Sequence, residues 1–142
     1  MPIAYSIEPD LDLVYMRIEG AVIIDEALST LRQYLKHPDY RPNRNHLHDL
    51  SRITLTQIEF QSVLAVQNKV MTQQQATPSQ NHVVFYAPTK LALSVAEDLK
   101  RLWAHFDTLT ISVVETTDAA AALLERDPDA ISSLVHGAFP PS

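Results

Sequence analysis

Ile3, Tyr5 and Ile7 occupy alternate positions, Glu8-Pro9-Asp10 interrupts them, and the alternation resumes over residues 11–18 with Leu13 and Tyr15 on one face and Val14, Met16 and Ile18 on the other. A period of two on both sides of a proline-containing break predicts a β-hairpin, closed by Gly20. Ile24, Ala27, Leu28, Leu31 and Leu35 then recur at helical spacing, from a cap at Asp25 to a stop before Pro38. After a surface connection with Pro38, Arg41, Pro42 and Arg44, the run His46-Leu47-His48-Asp49-Leu50 reads as a short strand. Thr56-Gln57-Ile58-Glu59 has the form of a capping box, in which the threonine oxygen and the glutamate satisfy two orphan helix amides reciprocally. It predicts a second helix from Thr56 with Phe60, Val63 and Leu64 inward, fading into the polar stretch 72–81.

Residues 82–86 read as a buried strand. From Thr89, the positions Leu91, Val95, Leu99, Leu102, Trp103 and Phe106 keep one helical phase, which puts Leu99 at the centre of a buried stripe. Residues 109–114 predict another strand, 119–124 another helix, and Asp127-Pro128 opens a last helix that Gly137 ends. The whole order predicts an α/β fold. Its sheet is mainly parallel, of about five strands, with an antiparallel edge strand from the N-terminal hairpin and flanking helices. A single domain over residues 1–142 is expected at this length.

Composition narrows the chemistry. Two glycines, Gly20 and Gly137, cannot build a phosphate-cradling loop or a nucleophile elbow, both of which need glycines at short fixed spacings. With no cysteine, thiolate nucleophiles, cysteine-ligated metals and disulfides are excluded. A net charge of −6 without a basic stripe opposes a nucleic-acid backbone. The amino terminus has no basic segment ahead of an apolar run, and the longest purely apolar stretch, 119–124, falls far short of the ~20 residues of a membrane span. A cytoplasmic protein with no cofactor, no nucleic-acid partner and no transmembrane segment is the expectation.

Two groups of residues carry candidate chemistry. On a strand, His46 and His48 project to one face. They could offer two imidazoles to a metal, with Asp49 at the strand end as a further ligand or base, and a metal-dependent enzyme is the alternative this motif keeps open. The blander reading has both imidazoles filling apolar slots and Asp49 accepting backbone amides. The second group lies at the carboxyl ends of the parallel strands, where open α/β sheets collect ligands. Asp49, Ser51, Arg52, Thr54 and Thr56 leave one strand there, and Pro88, Thr89 and Lys90 leave another, so the two loops are expected to face one shallow site.

The ordered set of segments resembles the STAS-like domains of the SpoIIAA-like family, related to sulfate-transporter and anti-sigma-factor-antagonist domains. The resemblance rests on the hairpin ending in Ile18-Glu19-Gly20, on Leu47-His48-Asp49-Leu50, on Val83-Val84-Phe85-Tyr86-Ala87-Pro88 entering a helix, and on Val114-Glu115-Thr116-Thr117-Asp118-Ala119 entering another. It implies a small α/β module without catalytic machinery that binds a protein partner or a small apolar ligand, with a regulatory role. A homodimer stays open. Phosphorylatable antagonists carry paired serines and a glycine at the start of the second helix. Ile53-Thr54-Leu55-Thr56-Gln57 has neither feature, leaving Thr54 and Thr56 as the hydroxyls for that alternative.

Overall fold

Alternation along residues 3–18 folds as the hairpin it predicts. The computed structural model describes residues 3–23, 26, 29–30, 33–34, 36–41, 44–57, 81–103 and 109–137. Strands β1 (Ile3–Glu8) and β2 (Leu13–Ile23) pair antiparallel, from Ile3 opposite Ile18 to Glu8 opposite Leu13. The turn is a 3-10 segment, Pro9–Leu11, closed by Asp12 in the left-handed region at φ 48°. Proline presets the first dihedral and aspartate tolerates the last.

Strands β3 (Asn45–Gln57), β4 (Asn81–Tyr86) and β5 (Leu109–Val114) join in chain order, each parallel to its neighbour, to give the sheet β1-β2-β3-β4-β5. Helices α1 (Lys90–Trp103), α2 (Thr117–Leu124) and α3 (Pro128–His136) flank it. The architecture is therefore α/β, mostly parallel with one antiparallel pair. Between β2 and β3, Glu26, Ser29, Thr30, Gln33 and Tyr34 are helical, in keeping with the predicted first helix. Its expected cap Asp25, the expected second-helix core at 58–71 and Phe106 lie outside the described residues.

Parallel strands added consecutively, with crossovers of one hand, leave their connections on one face of the sheet. Helix α1 lies on that face, setting Ala92, Val95 and Ala96 against Ile18, Leu50, Ile53, Val83 and Phe85. The other face would stay bare without a separate cover. The α2–α3 pair supplies it, burying Ala120, Ala121, Leu124, Ile131, Leu134 and Val135 against Leu13, Tyr15, Leu47, Val84, Tyr86 and Val114. A strand covered on both sides must be apolar at consecutive positions. Val83-Val84-Phe85-Tyr86, buried throughout, is that strand.

Four expectations need correction. β3 does not stop at Leu50 but continues for 13 residues, with Thr56 opposite Val22 and Gln57 opposite Ile23. No helix opens at Thr56: pairing with an equally prolonged β2, through the β-branched run Ile53-Thr54, outweighs a local cap worth about 1 kcal/mol. Gly20 does not close the hairpin; it sits inside β2 at φ +71°, beside a register shift, a conformation other residues adopt at a cost. Leu99 is only partly buried, because the centre of the α1 contact is taken by Ala92 and Ala96, whose small side chains bring the helix close to the sheet. Gly137 does end α3, but in extended backbone at φ −82° rather than left-handed. A Cβ there would stand 2.6 Å from the Ser133 carbonyl oxygen, which is why the position excludes other residues.

Among the described residues, no helix is long and apolar enough to cross a membrane.

Candidate functional site

The register between β2 and β3 slips after the pair Arg17–Asp49, and the next pair is Glu19–Arg52. Two residues of β2 are thus matched by three of β3, a bulge that reverses which face later residues occupy. In a regular strand Asp49 and Arg52 would point to opposite sides. The bulge puts both on the face beneath α3.

Asp49 is fully buried, and its carboxylate is saturated. Oδ2 accepts the Tyr15 hydroxyl at 2.6 Å and Arg52 Nη1 at 2.9 Å. Oδ1 accepts the Ser51 amide at 2.9 Å and the Ser51 hydroxyl at 2.6 Å. Arg17 Nε donates to the Tyr15 oxygen at 2.9 Å. Its Nη2 donates to the carbonyls of Leu134 (2.8 Å), Val135 (3.2 Å) and Gly137 (3.0 Å). Arg52 Nη2 also reaches the Val135 carbonyl, at 2.7 Å. The Leu134 and Val135 carbonyls are orphan acceptors in the last turn of α3, where the helix dipole favours cations, and that of Gly137 follows directly after it. The cluster therefore ties the last turn of α3 to the middle of the sheet.

Burial, then the Asp49 hydrogen bond and charge, raise the Tyr15 pKa well above the usual phenol range, with Arg17 opposing. Burial also raises that of Tyr86, with Asp49 adding to the shift and Arg52 opposing it. Both hydroxyls stay protonated at neutral pH. Such a site offers a held carboxylate rather than a free base, since every lone-pair direction of Asp49 already has a donor.

Of the residues expected at the strand ends, Asp49, Ser51 and Arg52 are in direct contact. Thr54 is exposed further along β3, and Thr56 lies in the same strand beyond it. Thr89 caps α1, its Oγ1 accepting the Ala92 amide at 3.1 Å, and Lys90 is exposed at the head of that helix. Tyr86, the last residue of β4, pairs with Asp49, from which β3 runs on to Gln57, so both groups lie towards the same end of the sheet. They do not share a single contact cluster, because Thr89 and Lys90 belong to α1 on one face while Asp49 and Arg52 turn towards α3 on the other.

His46 and His48 do share a face, as their spacing predicts, but Asp49 lies on the opposite one and cannot join them at one ion. Among the described residues no group of three or more histidines, aspartates and glutamates converges as a metal would need. The two imidazoles instead stand edge to face within a ring cluster: Tyr34–His46 at 5.5 Å, His46–His48 at 5.6 Å and His48–Phe85 at 5.3 Å between centroids. Burial pushes the His46 pKa down to about 4, and burial together with neighbouring His46 pushes His48 down to about 3. Each residue keeps part of its surface at solvent, which tempers that penalty without changing its sign.

Tyr15 and Arg17 were not among the sequence-derived candidates. The available signal was Arg17 itself, a cation at an alternating position of an otherwise apolar strand, which burial obliges to find partners. What it would pair with depends on α3, more than a hundred residues away.

The chain matches no protein-family model and no curated protein.

Proposed function

We propose that this chain is a non-catalytic, STAS-like binding module of the cytoplasm with a regulatory role, and that it engages a protein partner through the rim where β3 overruns β4. The observation that carries this reading is the saturation of Asp49. The carboxylate and arginines a reaction would need are spent on holding α3, which leaves the exposed hydroxyls and charges of the rim for recognition. Those groups are Thr54, Thr89, Lys90, Glu19 and the part of Arg52 that reaches solvent. Hydroxyls and charges suit a polar protein surface better than a small apolar ligand.

A photo-crosslinking residue placed at Thr54, in cells, tests the reading against the same residue at Leu123, which is exposed on α2. A discrete adduct from position 54 that disappears with Lys90→Glu and is absent from position 123 supports it. No adduct, or the same adducts from both positions, contradicts it. So does a catalytic turnover that Asp49→Asn abolishes while the fold persists.

A further inference from the structure

The ring cluster on the α1 face joins four separate parts of the chain. Tyr5 of β1 meets Tyr34 at 5.8 Å and His37 at 6.1 Å. Tyr34, helical like Glu26, Ser29, Thr30 and Gln33, also meets Tyr40 at 5.0 Å and His46 of β3. His46 leads to His48, and His48 to Phe85 of β4. Within it His48 Nε2 is sealed from water and has no hydrogen-bond partner. A neutral ring nitrogen in that position costs a lost hydrogen bond, whereas an imidazolium there would be an unpaired cation.

We propose that His46 and His48 form an acid-sensitive clasp: protonation of the pair in mildly acidic solution releases the helical residues Ser29, Thr30, Gln33 and Tyr34 from the sheet while the α2–α3 side stays folded. This goes beyond the partner-binding reading and does not rest on it.

The surroundings decide the sign. β2 sets Val14 and Met16 beside the two histidines in register, and β4 sets Val83 and Phe85, all without charge. The run covering them presents Tyr34 and the turn after it His37 and Tyr40, which are neutral or basic. Among the described residues Arg44 is a cation that acts on Tyr34, and it is itself bound to Asp12 and to the Asp39 carbonyl. The acidic group of the covering run is Glu26, eight residues before Tyr34, with its own Oε2 buried and unpartnered. Neither that oxygen nor His48 Nε2 has a hydrogen-bond partner, so the two do not pair. Among the described neighbours, a proton arriving at the pair therefore meets rings and aliphatic side chains.

Opening exposes both imidazoles to water, where they titrate with the ordinary value near 6.5. Linkage then raises the opening constant by about tenfold per pH unit for each ring that gains a proton on opening. Amide hydrogen exchange, corrected for its intrinsic pH dependence, reads this at Ser29, Thr30, Gln33 and Tyr34. Between pH 7 and pH 5 the expected result is a loss of protection of at least about tenfold there, with protection of α3 retained. His48→Phe keeps a ring of similar size without a titrating nitrogen, and His46→Gln is a second variant should the first fail to fold. Either is expected to reduce the pH dependence at those four amides by about tenfold per pH unit. Protection that is unchanged or increased at pH 5, as capture of a charged His48 by Glu26 would give, overturns the proposal. Equal loss in wild type and both variants also overturns it.

Discussion

Asp49 and Arg52 are three residues apart in β3, yet they lie on one face of the sheet and meet at 2.9 Å, because a bulge between them reverses the strand's alternation. Their contact continues through Arg52 to Val135, and from Asp49 through Tyr15 and Arg17 to the end of α3. The pairing is thus a consequence of backbone irregularity, and its effect is felt at the other end of the chain.

The two arginines should contribute unequally. Arg17 is 6% exposed and donates to three carbonyls, whereas the Arg52 side chain is 32% exposed with Glu19 4.0 Å away. Arg17→Met is expected to cost about 3 kcal/mol of unfolding free energy, and Arg52→Met about 1 kcal/mol, since solvent screens the second. Urea denaturation of the two variants checks the order; a larger loss for Arg52→Met would reverse the assignment.

Alkaline stability should depend on Tyr15. Its pKa is raised in the fold, first by burial and then by Asp49, from an ordinary 10.0. Above pH 10 the unfolded chain loses this proton while the folded one keeps it, so stability is full below that pH and falls as pH rises through it. Tyr15→Phe should lower stability at pH 7 by about 1–3 kcal/mol, through loss of a donor to a buried carboxylate, and should flatten the alkaline decline. Denaturation curves at pH 7, 9 and 11 distinguish this from a variant whose alkaline loss is unaltered.

The contact between α1 and the sheet should be intolerant of volume. Ala96 is fully buried against the sheet, and Ala96→Leu is expected to cost about 1–3 kcal/mol by overpacking. Leu99→Ala, at the partly buried end of the same stripe, should cost less than the 2–5 kcal/mol of a sealed core leucine, about 1–2 kcal/mol. Thermal denaturation of both variants tests whether small residues set the helix distance.

The cap of α2 gives a local check. Thr116 accepts the Ala119 amide at 3.1 Å, and Thr116→Ala should cost about 1 kcal/mol. A loss under about 0.3 kcal/mol by urea denaturation would mean that water replaces the cap without penalty.

Much of the fold was legible because periodicity is local. The hairpin, β4, β5 and the helical character of α1 all follow from spacing within a dozen residues. The length of β3 was not legible, since it depends on pairing with β2 across a long connection that no nearby residue encodes, and the cap signal at Thr56 competed with it. At the site, Asp49, Ser51 and Arg52 were singled out as a strand end, whereas they lie inside a β3 that runs on to Gln57. Their mutual contact depends on the bulge, and Tyr15 and Arg17 acquire their roles only when α3 arrives. Alternation also set Asp49 opposite His46 and His48, and reading Asp49 as a strand-end residue obscured that simple consequence.

The Asp49 cluster serves to lock α3 to the sheet. Native-state amide hydrogen exchange of Arg17→Met tests this most directly, by comparing residues 131–137 with the strand amides. Protection in α3 that falls by at least about tenfold more than protection in β3 and β4, the signature of a separately opening unit, is the predicted result. Uniform loss across α3 and the strands, or unchanged protection in α3, would contradict it.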